Sequence, residues 1–256
     1  MQPDLLETDI AEGSYNLNRS QTTTITTKKL IHRRQPGGQN LSFTFSLENL
    51  DSCQQRCQCT SCHRRCRYFC SRCRIPLPCT PLPHLRLPIR IDVIKDHHEL
   101  DSKSTALHAK LISPEDVCIY DYPTSPIPDY EDCQERVVLV FPSDDAPPFN
   151  AGTDQGRPIR AVFIDGTWKY ARQLAKHPCL AKLKKVSLRL SKTSYWRYQT
   201  GEEDSNLATI EAIHSFLVEH HQSSLLKGYQ GEYDDLLYLY TFFYQKIHQL
   251  HGSCAV

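Results

Sequence analysis

The sequence predicts an α/β fold in which helices cover a mostly parallel β-sheet, preceded by a small cysteine-rich module and a polar N-terminal arm. Strand-like and helix-like segments alternate from residue 85 to residue 252, which is typical of parallel sheets. Eight of the twelve cysteines lie between Cys53 and Cys79, and residues 1–50 have little apolar character. A chain of 256 residues is long enough for one large domain or two modest ones.

Residues 1–50 are expected to form a flexible arm, because they are polar and contain the run Pro36-Gly37-Gly38. The first thirty residues lack the apolar stretch and the basic start of a signal peptide. No segment approaches the roughly 18 consecutive apolar residues of a membrane span. We therefore expect a soluble intracellular protein whose thiols stay reduced.

Residues 51–80 form the cysteine-rich module. Two CxxC pairs, Cys59/Cys62 and Cys70/Cys73, are separated by seven residues and supply the four thiolates of a tetrahedral zinc site. Such a closed site has no position for water, so the zinc is expected to be structural. Other ligand registers stay open, as do an iron–sulfur cluster and a disulfide knot. The cysteines that keep these alternatives open are Cys53, Cys57, Cys66 and Cys79.

Basic residues are concentrated in two blocks, although the formal net charge of the chain is only +1. Residues 52–91 contain eight arginines and no acid, and residues 167–201 contain nine lysines and arginines and no acid. Such blocks favour a polyanionic partner bound at specific places, and with Tyr68 and Phe69 the first block suits RNA. The alternative is a pair of solvated faces that acids elsewhere balance.

After a proline-rich hinge, apolar runs of strand length alternate with segments of helical composition. The predicted strands are residues 89–94, 117–122, 137–141, 162–165 and 186–190. The predicted helices are residues 105–112, 168–176, 207–221 and 233–250. This alternation favours a largely parallel sheet with helices on both faces.

The segment 161–168 is the most informative one, since a short apolar strand ends abruptly on Asp165-Gly166-Thr167-Trp168. A predicted helix follows at once, so a carboxylate lies at the carboxyl end of a strand, where open α/β sheets bind ligands. Two further unusual loops follow predicted strands and could enclose a nucleoside together with this corner. Their candidate residues are Phe141, Pro142, Ser143, Arg197, Leu207, Ala208, Thr209 and Glu211.

Several of these residues also have a purely structural interpretation. Asp165 or Thr167 could cap the following helix, and Trp168 could belong to the core. Glu211 lies near a predicted helix start, where a carboxylate suits the helix dipole. Arg197 is either a surface residue stacked between its aromatic neighbours or an anchor for a substrate carboxylate.

The motifs and their order resemble the DTW-domain family of tRNA-uridine aminocarboxypropyltransferases, in particular its eukaryotic type 1 branch. The similarity covers about residues 53–250. It rests on the CxxC knuckles and on residues 87–95, 103–110, 141–142, 165–168, 195–197 and 208–213. Two positions depart from the family pattern. Asp96-His97-His98-Glu99 stands where many relatives carry His-Pro before the glutamate, so only Glu99 carries over, and Ser143 stands where relatives often have glycine.

The resemblance implies a SPOUT-like fold for residues 85–252, with a C-terminal trefoil knot that holds S-adenosylmethionine. It also implies that N3 of a tRNA uridine, in the D-loop by the type 1 likeness, takes the 3-amino-3-carboxypropyl group while methylthioadenosine leaves. Asp165 would act as a base or orient the uracil, and Thr167 and Trp168 would shape the pocket. Arg197 would hold the donor's carboxylate. The loops at residues 141–143 and 206–209, with Glu211, would contact the donor's adenosine.

The relatives suggest a nuclear protein, with the cytoplasm as a second location, and neither a membrane nor an obligate protein partner is expected. The sequence leaves the oligomeric state open. It also leaves two rival functions open: a SPOUT-type RNA methyltransferase that uses the same donor, and a non-catalytic zinc protein that binds RNA. The two transfer reactions differ only in which carbon of the sulfonium faces the nucleophile, and no motif reveals that.

Overall fold

A computed structural model describes residues 41–53, 55–143, 145–149, 158–189, 193, 207–224 and 228–252. The cysteine-rich module folds as two small antiparallel hairpins. The first hairpin pairs β1 (Cys57–Gln58) with β2 (Arg65–Cys66), and the second pairs β3 (Phe69–Cys70) with β4 (Ile75–Pro76). A disulfide joins Cys57 to Cys79. The sequence reasoning had left both as spare thiols in a reduced protein, and that expectation was wrong for this pair.

The five strands that follow form one parallel sheet. They are β5 (Arg90–Asp96), β6 (Val117–Tyr122), β7 (Val137–Val140), β8 (Arg160–Asp165) and β9 (Lys184–Val186). Their spatial order is β6-β5-β8-β7-β9. From β5 the chain continues to β6 on one side, and from β8 it continues to β9 on the other side. The sheet therefore changes direction between β5 and β8, in the sense that the connections leave these two adjacent strands towards opposite edges. The crevice at the carboxyl ends of two such strands is where open α/β sheets bind ligands.

In the described part of the chain, six α-helices accompany these strands. They are α1 (Glu48–Asp51), α2 (Ala106–Ile112), α3 (Trp168–Leu174), α4 (Pro178–Ala181), α5 (Thr209–Ser224) and α6 (Tyr238–Gly252). Two 3₁₀ helices, Glu131–Arg136 and Asp234–Leu237, precede β7 and α6. No helix in the described part of the chain is both long enough and apolar enough to cross a membrane.

Alternate side chains of each strand point to opposite faces of the sheet, and both faces are covered by helices. Ile91 and Val93 of β5 belong to the larger core, which they share with α2, α5 and α6. Ile94 of the same strand and Val162 of β8 belong to a second core, which they share with α3 and α4. The predicted parallel sheet with helices on both faces is therefore confirmed.

Residues 41–50 lie against the C-terminal part of the chain, although the predicted arm extended to residue 50. The Ser42 N–H donates to Asp234, and Thr44 donates to Asp235 through both its N–H and its hydroxyl. Leu50 is completely buried in the larger core. Residues 41–50 consequently belong to the folded part of the protein, and the arm was predicted too long at this end.

Predicted and observed elements agree in order and differ at their ends. The last predicted strand is shifted, since β9 ends at Val186 and lies before most of the predicted span. The last predicted helix starts as a 3₁₀ turn and becomes α-helical only at Tyr238. The short helix α4 was not predicted. It begins with Pro178 in its first turn, and His177 caps it by accepting a hydrogen bond from the Cys179 N–H.

Candidate active site

Asp165 is the last residue of β8 and lies at the carboxyl edge of the sheet, beside the point where the sheet changes direction. Its side chain is buried, with 4% of the residue exposed. One carboxylate oxygen accepts a hydrogen bond from the Ser104 hydroxyl at 2.6 Å, and the other accepts one from the Thr209 hydroxyl at 2.5 Å. Asp165 therefore connects the start of α2 and the start of α5 to the end of β8.

Burial raises the pKa of Asp165 above its usual value, because a carboxylate loses its hydration inside the protein. The hydrogen bonds from Ser104 and Thr209 act in the opposite direction, as do the positive charges of Lys95 and Arg74. These donors and charges favour the ionised form, so the carboxylate sits in a prepared polar environment despite its burial.

Neither Asp165 nor Thr167 caps α3 through its side chain. Thr167 occupies the N-cap position with extended backbone angles, yet its side chain makes no capping hydrogen bond. Its carbonyl oxygen accepts the first bond of the helix from the Ala171 N–H. The carboxylate oxygens of Asp165 are turned towards Ser104 and Thr209 instead. The capping alternative raised by the sequence therefore does not describe this corner.

Gly166 lets two strand ends come together. Its φ is +157°, and a Cβ at this position would lie 3.0 Å from the Asp96 Cβ at the end of β5. That distance is tighter than most real Cβ contacts, so a side chain here would require Asp96 to shift by a few tenths of an ångström, and the positive φ also favours glycine. The glycine thus lets the end of β8, with Asp165, lie close to Asp96 at the end of β5.

The start of α5 is held by three hydrogen bonds. Glu211, although it lies in the first turn of α5, accepts hydrogen bonds from the Ala208 N–H at 2.8 Å and from the Thr193 hydroxyl at 2.7 Å. The Ile210 N–H donates to the hydroxyl of Thr105, which precedes α2. Glu211 therefore satisfies the free Ala208 N–H at a helix start, as the structural alternative expects, while its predicted contact with the donor stays a prediction.

Phe141, after β7, and Trp168, at the start of α3, approach each other with ring centroids 6.1 Å apart. Phe141 is buried, whereas Trp168 is half-buried against the smaller core and has the Arg172 guanidinium 5.9 Å from its ring. Pro142 is exposed and Ser143 half-buried beside them. Two of the three predicted loops are thus neighbours. Leu207 is half-buried and Ala208 buried on the approach to α5. Arg197 lies outside the described residues, so its predicted role stays a prediction.

A cluster of charges next to Asp165 was missed by the sequence reasoning. The buried ammonium of Lys95 lies 3.1 Å from Asp101 and 3.4 Å from Asp121, and the Arg74 guanidinium binds the same two carboxylates. Burial would raise the pKa of Asp121, but the contacts with Arg74 and Lys95 lower it below its usual value. Because Arg74 directly follows Cys73, this cluster fastens the cysteine module to the sheet.

The four cysteines of the two CxxC pairs meet at one point, in the register that the spacing predicts. Their sulfur atoms all lie within 4.8 Å of one another, and the Cys62 and Cys70 sulfurs are 3.6 Å apart. Four thiolates around a zinc ion at about 2.3 Å would be separated by about 3.8 Å, so the arrangement fits a tetrahedral metal. The Cys62 N–H lowers the pKa of the Cys59 thiol to about 6 although burial opposes it. These residues could therefore hold a metal ion.

The two knuckles also have the same backbone geometry. The residue after each pair, His63 or Arg74, has a positive φ and donates its N–H to the carbonyl of the first cysteine, Cys59 or Cys70. This repeated turn brings both sulfurs of a pair to the same side of the chain. A positive φ is uncommon for residues other than glycine, so the turn is held by its surroundings.

Comparison with known proteins gives a family for this arrangement. A family model described as the DTW domain matches residues 67–248. The chain belongs to the DTW-domain family. Asp165–Trp168, the corner that the geometry singles out, and Cys70 and Cys73 of the second knuckle lie within the matched DTW-domain residues.

Similar DTW-domain relatives include proteins named tRNA-uridine aminocarboxypropyltransferase 1. The chain is 36% identical to the one from Mus musculus over 280 residues, which covers 91% of this chain and 89% of that protein. It is 34% identical to the one from Xenopus tropicalis, covering 78% of this chain and 82% of that protein. A tRNA-uridine aminocarboxypropyltransferase 2 from Drosophila melanogaster is 27% identical, covering 57% and 63%. No solved structure matches the chain.

Proposed function

We propose that this protein is a tRNA-uridine aminocarboxypropyltransferase, which transfers the 3-amino-3-carboxypropyl group of S-adenosylmethionine to N3 of a tRNA uridine. The observation that carries the proposal is the similarity to the protein of that name from Mus musculus, which is 36% identical and covers 91% of this chain and 89% of its own length. The site geometry supports it, because Asp165, Thr209 and Ser104 meet at the carboxyl edge of a parallel sheet. The type 1 likeness favours a uridine in the D-loop.

The donor site is proposed to lie at this edge, inside a SPOUT-like C-terminal knot. The chain runs from β9, at one edge of the sheet, back to the middle, where Thr209 binds Asp165. Such a return brings the residues before α5 next to the loops that follow β7 and β8. A structure with bound S-adenosylmethionine would test the knot directly.

In this site Asp165 is proposed to position the reacting groups, which is one of its two predicted roles. Both of its oxygens already accept a hydroxyl hydrogen bond, so its charge holds α2 and α5 in place and adds to the field at the strand ends. Thr167 and Trp168 shape the pocket. The apolar surface of Phe141, Pro142 and Leu207 suits an adenine ring, Ser143 and Ala208 offer polar backbone groups to it, and Arg197 would bind the donor's carboxylate.

The cysteine module is proposed to bind a structural zinc ion and to contact the tRNA backbone. Its donor set consists of four thiols with no open coordination position, which suits zinc and excludes a direct role in the transfer. Several basic side chains of the module are exposed, while Arg74 is engaged with the sheet. The exposed ones are His63, Arg64, Arg65 and Arg72. Guanidinium groups bind phosphate oxygens well, so this surface suits the polyanion.

The direct test is to incubate the purified protein with S-adenosylmethionine and unmodified tRNA and to analyse the nucleosides by mass spectrometry. The expected product is uridine that carries an aminocarboxypropyl group on N3, with methylthioadenosine formed in equal amount. A methylated nucleoside with S-adenosylhomocysteine would establish the rival methyltransferase reaction. Tight tRNA binding with no turnover and no binding of S-adenosylmethionine would establish the non-catalytic alternative.

A further inference from the structure

The segment that departs from the family pattern lies at the end of β5. Within it, Asp96 and His98 form a carboxylate–imidazole pair. His98 Nδ1 lies 2.7 Å from Asp96 Oδ1, and the His98 N–H donates to the same oxygen at 2.9 Å. The Glu99 N–H donates to the Asp96 carbonyl, which closes the turn. Because a carboxylate only accepts hydrogen bonds, Nδ1 carries the hydrogen and Nε2 is left with the lone pair.

The ring of His98 is held in one orientation and is still accessible. It stacks on Tyr170 in the first turn of α3, with ring centroids 4.0 Å apart and planes within 5° of parallel. The side chain of Asp96 is 9% exposed, whereas that of His98 is 45% exposed. A buried carboxylate thus orients a partly exposed imidazole, which is the arrangement of a base with its orienting group.

The pair lies next to the Asp165 corner. Asp96 packs against Gly166, the residue after Asp165, and Lys95 pairs with Asp165 in the register of β5 and β8. Asp165 itself is buried and both its oxygens are engaged by hydroxyls, so it is poorly placed to take a proton from a substrate. The described part of this edge therefore offers His98 as the better proton acceptor.

Few titratable groups face His98 within the described residues. Asp96 and His97 come from its own segment, and the His97 ring lies 3.7 Å from that of His98. Tyr170 comes from α3, with the Lys169 ammonium over its ring at 5.5 Å. The Asp96 carboxylate is in direct contact with the imidazole and stabilises a positive charge that forms on it.

We propose that His98 is the general base of the transfer, accepting the N3 proton of the tRNA uridine on Nε2, and that Asp96 is its positioning residue. This inference rests on the proposed function. N3 forms a bond to the methylene carbon of the donor as its proton passes to His98. The carbon–sulfur bond breaks and its electron pair goes to the sulfonium, which leaves as neutral methylthioadenosine. His98 becomes an imidazolium beside the Asp96 carboxylate and later loses the proton to water.

The test compares His98→Gln, Asp96→Asn and the matched control His97→Gln in single-turnover transfer with the full-length protein, from pH 6 to pH 9.5. For His98→Gln we expect a rate lower by about a hundredfold or more at neutral pH, as for loss of a general base. The deficit should shrink at high pH, because the uridine then ionises without help. Affinities for tRNA and S-adenosylmethionine should change less than about threefold, and His97→Gln should behave as the unchanged protein.

Asp96→Asn supplies a second measurement that a structural role of His98 would not move. Without the carboxylate the imidazolium is less stable, so the acid limb of the pH–rate profile should shift to lower pH, with a reduced maximal rate. If His98→Gln does not fold, this shift decides the question on its own. Wild-type rates for His98→Gln at every pH, or an unshifted acid limb for Asp96→Asn, would overturn the inference. Absence of aminocarboxypropyl-uridine with the unchanged protein would instead overturn the proposed function.

Discussion

The cysteine module and the carboxyl edge of the sheet both bring polar side chains to one point, but they do so by opposite means. The four sulfurs of the module come from fifteen consecutive residues, Cys59 to Cys73. At the edge, Asp165 receives its hydrogen bonds from Ser104 and Thr209, which are 61 and 44 residues away along the chain. The module depends on a short-range turn, repeated once, whereas the edge exists only when the sheet and two helices are assembled.

This difference predicts different consequences of damage. Loss of a module cysteine should remove a local structure and leave the sheet and its two apolar cores largely in place, apart from the Tyr68 side chain, which the module contributes to the larger core. Loss of a group at the edge should leave the global stability nearly unchanged and alter the relative positions of α2, α5 and β8. The two regions are joined by the ion cluster of Lys95, Asp101, Asp121 and Arg74. The rings of Tyr68 and Phe69 add an apolar junction, because they pack against Phe242 and Phe243 of α6.

The largest effect is expected at the edge. In the native protein the hydroxyls of Ser104 and Thr209 donate to the Asp165 carboxylate. In Asp165→Asn the amide oxygen can accept from only one of them, the amide N–H groups face the other, and the negative charge is lost. Transfer should fall by at least about a hundredfold, since small displacements of reacting groups have effects of that size. Single-turnover kinetics measure the loss, and metal content and melting temperature should stay close to wild type.

Asp132→Asn is the matched control for this change, because Asp132 is an exposed aspartate in the 3₁₀ helix that precedes β7. It should leave the rate unchanged. A wild-type rate for Asp165→Asn would show that the edge does not depend on this carboxylate.

The next effect is expected in the module. Cys59→Ser should abolish binding of one zinc ion per chain and unfold residues 57–79, because a structural site contributes its binding energy to folding. Metal analysis and hydrogen exchange should show loss of both the ion and the protection of the two hairpins, while the central strands stay protected. Cys133→Ser, at a half-buried free cysteine outside the module, should retain the metal. Exchange of the sheet at the rate of the hairpins would contradict the separation of the two regions.

A smaller effect is expected where the regions join. Arg74→Gln removes the guanidinium that binds Asp121 and Asp101, at a site where both carboxylates are more than a third exposed. We expect the metal to be retained and the melting temperature to fall by about 2–4 °C, as for loss of about 1 kcal/mol in a chain of this size. Arg72→Gln, at an exposed arginine of the same module, should weaken tRNA binding without changing the melting temperature. Equal melting temperatures for Arg74→Gln and the unchanged protein would remove the proposed fastening.

The smallest effect concerns stability in acid and involves Asp116, which lies at the amino ends of the strands, just before β6. Burial would raise the pKa of Asp116, but the Leu87 N–H and the Arg86 guanidinium lower it below the ordinary value of 3.8. A carboxyl with a lowered folded-state pKa stabilises the fold above its unfolded pKa, and this stabilisation disappears as pH falls through the folded value. Below pH 3.8 the unchanged protein should therefore lose unfolding free energy more steeply than Asp116→Asn, as measured by urea denaturation. Parallel curves would contradict this.

The contrast between the two regions also explains what could be predicted from the sequence. The CxxC spacing favours the four cysteines that do meet, because both turns are local, although the neighbouring cysteines left other registers open. A strand such as Val137–Val140 could be predicted because both faces of a parallel sheet are buried and its sequence becomes an apolar run. The partners of Asp165 could not be found, since Ser104 and Thr209 are ordinary hydroxyl residues whose role depends on tertiary distances.

Other omissions have the same physical origin. Arg74 was counted as part of a basic block and Lys95 was given no role of its own, but Lys95 is buried and Arg74 is half-buried in an ion cluster. The contacts of residues 41–50 were missed because their partners, Asp234 and Asp235, lie about 190 positions further along the chain. No local sequence pattern indicates pairing across such a distance.

The contacts between Ser42, Thr44 and the 3₁₀ helix Asp234–Leu237 have a consequence for biosynthesis. Ser42, Thr44 and Ser46 are synthesised first, and the groups that they bind follow 191 or 192 residues later. During translation the backbone N–H groups of Ser42 and Thr44 stay hydrated until Asp234 and Asp235 are made. The parallel sheet can assemble before that point. We therefore expect closure of the larger core to follow assembly of the sheet, because it joins residues about 190 positions apart and such long-range contacts form slowly.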